Sequence, residues 1–141
     1  MTREEIVALF DRRAAALERR DVTALAGMHA GTGVVESPTV GGSVTGRAAI
    51  AQLYEAWFKA FPDMTLTTDK IVIDGDRVAQ VATLAGTDTG GFLGLPASGK
   101  PFRVPLLVLF TVRDQQIVSE RRIYDFTGLL IQIGVLKTKQ A

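Results

Sequence analysis

The sequence from Glu120 to Gly134 reads ERRIYDFTGLLIQIG, and it carries the prediction of the fold. Its first half is typical of a strand and its second half of a short apolar helix. Side chains alternate across a strand, so the charged and aromatic residues divide between two faces, Arg121, Ile123 and Asp125 on one and Glu120, Arg122 and Tyr124 on the other. Whichever face turns inward takes charge with it, and buried charge has to be paired or used. We therefore expect Asp125, where the strand ends, to lie at the floor of a ligand pocket.

The composition limits the class of protein. The chain has 141 residues, 47% of them apolar and 22% charged, which predicts one folded domain over residues 1–141. The net charge of +1 gives no electrostatic reason to expect a nucleic acid or an anionic membrane as partner. The chain has no cysteine and one histidine, His29, so disulfides and thiolate metal sites are excluded, and we expect neither metal nor cofactor.

The sequence also gives an expectation for the compartment. The first residues, MTREE, are polar and acidic, unlike a signal peptide. No apolar run approaches the ~20 residues that a membrane-spanning helix needs. We therefore expect a cytoplasmic protein.

Helices are predicted before strands along the chain. Capping patterns and apolar periodicity predict helices over 2–20, 22–28 and 45–61. Alternation and turn signals predict strands over 34–37, 66–73, 77–88, 102–112 and 117–126, a helical turn over 128–136, and a frayed tail over 137–141. This order indicates an α+β fold with the helices on one face of a mainly antiparallel sheet. We expect Leu53, Trp57 and Phe58 of the third helix to face that sheet.

The strand predicted over 102–112 is apolar on both faces. One face is expected to cover the helices. A large exposed apolar patch is unusual on a monomer, so the other face predicts a homodimer packed sheet to sheet.

Two segments of the chain are similar to a known family. Residues 86–100, GTDTGGFLGLPASGK, resemble the GTHxGxFxGxPPTGK loop of SnoaL-like polyketide cyclases. The segment from Ile117 to Gly134 resembles the final strand and helix of that family, and Gly46-Arg47-x-x-Ile50 and Phe61-Pro62-Asp63 also match it. The likeness covers nearly the whole chain.

The resemblance implies a fold and a chemistry. The family belongs to the nuclear transport factor 2-like superfamily, whose members form a cone, a bent sheet wrapped around three N-terminal helices with an internal pocket. Its well-known members close a polyketide ring by an aldol reaction without cofactor, and their catalytic aspartate falls on Asp125. Two positions where the family often has histidine are Asp88 and Val108 here.

The candidate site follows from these residues. A carboxylate in a dry pocket has a raised pKa and is a usable base, which is the role we assign to Asp125. Arg122, Tyr124 or Tyr54 could donate hydrogen bonds to a developing oxyanion. The full set of expected substrate contacts is Arg122, Tyr124, Asp88, Tyr54, Trp57, Phe58, Phe92 and Glu36.

Each assignment has a structural alternative. Asp125 could pair with Arg121 or Arg122, or cap the helix that starts near Thr127. Asp88 precedes a glycine-rich loop, where aspartate usually forms a turn, and the loop itself is predicted to cover the pocket as a lid. His29 follows a helix and is expected to interact with the helix dipole.

Three functions remain open from the sequence. The first is a cofactor-free enzyme that cyclises or isomerises a small hydrophobic ketone or ester. The second is a binding protein with the same pocket and no turnover. The third is an enzyme resembling epoxide hydrolases or ketosteroid isomerases, with Asp88 or Glu36 helping to position water.

Overall fold

The computed structural model describes residues 1–139, so residues 140–141 of the predicted tail lie outside the described residues. Its helices are α1 (Arg3–Arg19), α2 (Val22–Gly27), α3 (Arg47–Ala60) and α4 (Phe126–Gln132). Its strands are β1 (His29–Ser37), β2 (Gly42–Thr45), β3 (Thr65–Asp74), β4 (Arg77–Thr87), β5 (Pro101–Arg113) and β6 (Gln116–Tyr124). Short 3-10 turns lie at Pro38–Val40 and Phe92–Gly94.

The predicted helix caps are present. The Thr2 hydroxyl accepts a hydrogen bond from the Glu5 amide at 3.1 Å, and the Asp21 carboxylate accepts one from the Ala24 amide at 3.0 Å. Arg20 ends α1 in the left-handed conformation, with φ of 53°. Its guanidinium donates to the backbone oxygens of Pro62 and Met64, both at 2.8 Å. These bonds fix the end of α1 against the start of β3.

The strands form one mixed sheet in the order β2-β1-β6-β5-β4-β3. Only the β1–β6 pairing is parallel among the pairings of the described strands. The sheet bends around α1, α2 and α3, which confirms the predicted cone-shaped α+β fold. Phe10 of α1 contacts Phe110 of β5, with ring centroids 4.8 Å apart, and Trp57 of α3 contacts Tyr124 of β6 at 5.8 Å. The helices therefore cover the same concave face on which β6 presents its even-numbered residues.

Alternation along β5 divides the sheet into an inner and an outer face. Every second residue from Phe102 to Val112 is buried under the helices. Between them, Pro105 and Leu109 are exposed on the outer face and Leu107 is half-buried. Leu53 and Trp57 of α3 are buried toward the sheet as predicted, whereas Phe58 is only half-buried.

The start of β1 and the presence of β2 are the main differences from the predicted strands. β1 begins at His29 rather than at Val34, and its pairing with β6 is irregular between these residues. A Cβ added to Gly33 would lie 2.9 Å from the Ala30 carbonyl oxygen. Glycine at this position therefore allows the close backbone approach at the irregular part of β1. β2 was not predicted, because its sequence GSVT offers little beyond Val44 to signal an edge strand. Within residues 1–139, no helix has the length and apolar content needed to cross a membrane.

Candidate functional site

The last strand, β6, turns one face of its side chains into the cone. Glu120 is 1% exposed, and the Arg122 side chain is 10% exposed. The alternate residues Arg121 and Ile123 are exposed on the outer face. The structure thus answers the question that the sequence left open, since the face with Glu120, Arg122 and Tyr124 points inward.

Glu120 is the centre of a buried polar cluster. Its Oε1 lies 3.0 Å from Nε2 of His29, and its Oε2 accepts a hydrogen bond from Nε of Arg122 at 2.5 Å. Nη2 of Arg13 lies 3.9 Å from the same Oε2. Burial alone would raise the pKa of Glu120, but Arg122, His29 and Arg13 more than offset it and hold that pKa well below its usual range. Glu120 is therefore an ionised carboxylate with its oxygens engaged, and not a free base.

His29 links this cluster to the backbone. Its Nδ1 lies 3.0 Å from the carbonyl oxygen of Leu25 in α2, and the residue is fully buried. The predicted interaction with the end of a helix is therefore confirmed for the Leu25 carbonyl. Both ring nitrogens therefore lie within hydrogen-bond distance of an oxygen.

Arg13 enters the cluster from α1, where it occupies a position on the buried stripe. Its Nη1 donates to Oε1 of Gln80 at 3.3 Å, and its Nη2 donates to the Tyr54 hydroxyl at 3.4 Å. The guanidinium also lies 5.0 Å from the centroid of the Phe110 ring. Arg13 was not among the predicted site residues.

A small central cavity of about 40 Å³ lies beside this cluster. Its walls are apolar side chains of α1, the α3–β3 connection and the sheet, together with five polar or aromatic residues, Arg13, Tyr54, Trp57, Arg122 and Tyr124. Val108, the position where the family often has histidine, is part of the apolar wall. A volume of about 40 Å³ is on the scale of one or a few water molecules, far below the ~300 to 1,000 Å³ of most ligand pockets.

The buried polar atoms without partners belong to residues around this cavity. Among residues 1–139, four buried side-chain nitrogen or oxygen atoms have no hydrogen-bond partner, namely Nε of Arg13, Nε1 of Trp57, Nη2 of Arg122 and the Tyr124 hydroxyl. All four belong to residues that line the central cavity. Three of these atoms can only donate and the hydroxyl can do so. The residues of the cavity wall therefore carry several free hydrogen-bond donors for a ligand oxygen.

Arg122 and Tyr124 are held in defined electrostatic surroundings. Burial opposes the charge of Arg122, but Glu120 offsets this and raises the pKa of Arg122. The guanidinium also lies 4.9 Å from the Tyr54 ring centroid. Burial raises the pKa of the Tyr124 phenol, and nearby Ser37 and the Arg122 charge act in the opposite direction. Tyr124 thus keeps its proton at neutral pH and is available as a donor.

Three surface grooves adjoin the cavity. One of them, of about 270 Å³, shares Arg122 and Tyr124 with the cavity wall and is also lined by Glu36 and Ser37.

The other two adjoin the cavity elsewhere. The first, which we call the α1–β3 groove, measures about 300 Å³ and shares Leu17, Met64 and Leu66 with the cavity wall. The second, which we call the loop groove, measures about 570 Å³ between α3 and residues 90–95 and shares Trp57 with the wall. The three shared residues of the α1–β3 groove have flexible aliphatic side chains, whereas the residue shared with the loop groove is the bulky Trp57.

The structure does not support the predicted position of Asp125. Its side chain is exposed, lines none of the cavities described here, and accepts a hydrogen bond from the Gly128 amide at 2.8 Å as the N-cap of α4. The prediction that Asp125 lies at the floor of a pocket is wrong. The strand register explains this, because Asp125 follows the outward residues Arg121 and Ile123 by the two-residue period.

Four other predicted contacts lie apart from the central cavity. Asp88 is buried, but its carboxylate accepts bonds from the Gly91 amide and from the Ser98 amide and hydroxyl, so it organises its own loop. Phe92 packs on Trp57 and lines the loop groove. Phe58 lines the α1–β3 groove, and Glu36 is exposed on the outer face, 3.4 Å from Nε of Arg121. The structure brings together Arg122, Tyr124, Tyr54 and Trp57.

The described residues show no ready-made metal site. No group of three or more His, Asp or Glu side chains is arranged to hold a metal ion within residues 1–139.

The sequence matches the profile of the SnoaL-like polyketide cyclase family over residues 8–133. The chain belongs to this family. No curated protein matches it.

Solved structures of related proteins agree with this assignment. AclR from Streptomyces galilaeus, a proposed hydroxylase, is 27% identical with a TM-score of 0.84, covering 99% of this chain and 87% of AclR. IdmH from Streptomyces antibioticus, a proposed polyketide cyclase, is 29% identical with a TM-score of 0.76, covering 91% of this chain and 97% of IdmH. A protein from Catenulispora acidiphila with a ketosteroid isomerase-like fold is 25% identical with a TM-score of 0.77, covering 89% and 92% of the two chains.

Proposed function

We propose that this family member binds a small, largely hydrophobic ketone in the central cavity and assists its cyclisation or isomerisation without a cofactor. The observation that supports this is that four unpartnered buried polar atoms belong to residues lining one cavity whose other walls are apolar. An enolate oxygen seated there would accept hydrogen bonds from Arg122, Tyr124 and Trp57. Preorganised donors of this kind are worth roughly 3 to 4 kcal/mol each where they have been measured.

The ligand has to enlarge the cavity as it enters. A volume of about 40 Å³ cannot hold a ring, so wall residues must move on binding. We propose entry through the α1–β3 groove, because Leu17, Met64 and Leu66 are half-buried there while Trp57 on the other side is 5% exposed. Replacing Met64 by Ala should speed ligand association, and replacing it by Trp should slow it.

A second candidate function is binding without turnover. It is favoured by the absence of any carboxylate or histidine from the cavity wall among the described residues. The buried carboxylate nearest to the wall, Glu120, is already engaged by Arg122 and His29. An enzyme with this cavity wall would instead have to pass the proton removed from carbon to a group of the ligand itself or to solvent.

Two tyrosines provide the test of the site, because they are the only two in the chain. The Tyr124 hydroxyl lies near the side chains of Ser37 and Thr39 without a hydrogen bond of good geometry, so Tyr124→Phe should change stability by no more than ~1 kcal/mol. The matched control is Tyr54→Phe, which removes the acceptor of an Arg13 hydrogen bond and should cost ~1 kcal/mol. Ligand binding should weaken ~5- to 10-fold in Tyr124→Phe, the effect of one lost hydrogen bond.

Turnover separates the two candidate functions. Deuterium incorporation next to the carbonyl of 2-tetralone in D₂O reports enolisation without knowledge of the natural substrate. The enzyme proposal expects exchange above the buffer rate, a rate that survives dialysis against a chelator, and a fall of ~100-fold in Tyr124→Phe. Binding of the ketone with exchange at the buffer rate would favour the binding protein instead.

We also propose that the outer face of the sheet carries a homodimer. Val72, Leu109 and Ile123 are 54%, 41% and 41% exposed on this face. Val72 and Leu109 line a hollow of about 450 Å³ there. Leu109→Lys should convert the dimer to a monomer of 15.2 kDa in light scattering. Leu93→Lys is the matched control, since Leu93 is 50% exposed but lies on the loop. A monomeric wild-type protein at micromolar concentration would contradict the proposal.

A further inference from the structure

The central cavity has an imbalance of charge in its wall. Arg13 and Arg122 are the charged residues among those that line it, and both side chains are at least nine-tenths buried. One carboxylate, Glu120, faces these two guanidiniums. Two positive charges and one negative charge leave an excess of one positive charge, before any proton on His29 is counted.

The other buried carboxylate does not restore the balance. Asp88 is 1% exposed, but its oxygens are bound to the Gly91 amide and to Ser98 in its own loop. The remaining polar groups of the cluster, Gln80, Tyr54 and Tyr124, are neutral. Uncompensated charge in a buried place is costly, and an opposite charge brought next to it is correspondingly favourable.

The free donors lie on the charged groups themselves. Nη2 of Arg122 and Nε of Arg13 have no partner among the described residues, and both belong to the cavity wall. Glu120 accepts a hydrogen bond from Nε of Arg122, and the neighbouring Nη2 has no hydrogen-bond partner. Hydrogen bonds in which the donor or the acceptor is ionised are about twice as strong as those between neutral groups, and an anionic oxygen adds its charge attraction to that of the guanidinium.

From this charge count and these free donors, we infer that the cavity takes its ligand as an anion, a carboxylate or an acidic enol whose negative oxygen lies against Arg122 and Arg13. The inference rests on the proposed function and narrows its ligand from any small ketone to one that carries an acidic group. Glu120 is then a positioning residue, because it orients Arg122 without contacting the ligand.

A matched pair of probes tests this. Benzoate and benzamide have nearly the same shape and differ in charge, and Trp57, the single tryptophan of the chain, lies in the cavity wall and reports binding by fluorescence. At constant ionic strength and neutral pH, we expect benzoate to bind at least ~10-fold more tightly than benzamide. An enolised cyclic 1,3-diketone compared with its monoketone distinguishes an enol ligand from a carboxylate ligand.

Two neighbouring arginines supply the variants. Arg122→Gln leaves Arg13 and Glu120 as a balanced pair, so the preference for benzoate should disappear. Arg121→Gln removes the same charge one residue away, on the outer face where its side chain is 64% exposed, and should leave the preference unchanged. If Arg122→Gln does not fold, thermal shifts of the wild-type protein with each probe give the same comparison.

The outcomes separate the inference from the proposed function. Equal affinities for benzoate and benzamide, with quenching of Trp57 by both, would overturn the anion inference and leave the cavity as the site. A benzoate preference that falls equally in Arg121→Gln would also overturn it. No response to either probe at millimolar concentration would contradict both.

Discussion

Arg121 and Arg122 are neighbours in the sequence but lie on opposite faces of the sheet. Each lies beside a glutamate, Arg121 beside Glu36 at 3.4 Å and Arg122 beside Glu120 at 2.5 Å. The first pair is exposed, with side-chain exposures of 64% and 54%, and the second is buried, with 10% and 0%. The same residue types thus form a solvated pair on the outer face and the charged centre of the cone on the inner face.

The difference shows that surroundings decide the role of a charge. Exposed pairs contribute little, because water screens them and two long side chains lose freedom. The charges of a buried pair have lost their hydration, so removal of one partner leaves the other as an uncompensated buried charge. The inner face therefore carries both the largest stability effects and the ligand-facing donors.

The largest effect is expected at Glu120. Glu120→Gln keeps the size of the side chain but leaves Arg13 and Arg122 without a counter-charge, so unfolding free energy should fall by ~3 to 5 kcal/mol in urea titrations. Glu36→Gln, the outer counterpart, should change it by less than ~0.5 kcal/mol. Similar losses in both variants would mean that the two faces do not differ as described.

The pH dependence of stability gives a second test of the difference between the inner and outer faces. The pKa of Glu120 is lowered in the folded state from its ordinary value of 4.5. Its contribution to stability is therefore complete above pH 4.5 and is lost as the pH falls from there toward the lower folded value. Melting temperatures between pH 7 and pH 3 should fall steeply in the wild-type protein and less steeply in Glu120→Gln. Parallel curves would contradict the assignment of this acid sensitivity to Glu120.

The outer face predicts a smaller effect at Asp125. Asp125→Ala removes the N-cap of α4 and should cost ~1 kcal/mol, whereas Asp125→Asn keeps a good capping residue and should be nearly neutral. Thermal or urea unfolding of the two variants measures this. A loss of several kcal/mol in Asp125→Asn would show that the carboxylate has a partner other than the Gly128 amide.

The sequence predicted the fold better than it predicted the site. Alternation in β5 and the caps Thr2 and Asp21 are local signals, and the structure confirms them. The direction of β6 depends on how the strand meets the helices, and a two-residue period cannot tell the inner face from the outer one. Asp125 was misplaced for this reason.

The site residues that the sequence analysis missed contact residues that are far away in the chain. His29 and Glu120 are 91 residues apart, and Arg13 and Gln80 are 67 apart, so no local pattern joins them. One signal was available: Arg13 occupies the apolar stripe of α1, where a buried charge requires a partner. Four of the predicted contacts, Arg122, Tyr124, Tyr54 and Trp57, do line the central cavity.

The central claim is that the ligand meets the inner face of β6 and not Asp125. The direct test is titration of a bound ketone or benzoate by Trp57 fluorescence in two single variants, Tyr124→Phe and Asp125→Asn, both checked for folding by circular dichroism. We predict that Tyr124→Phe weakens binding ~5- to 10-fold, while Asp125→Asn binds like the wild-type protein. Unchanged binding in Tyr124→Phe together with a loss in Asp125→Asn would contradict this account and return the site to the end of the strand.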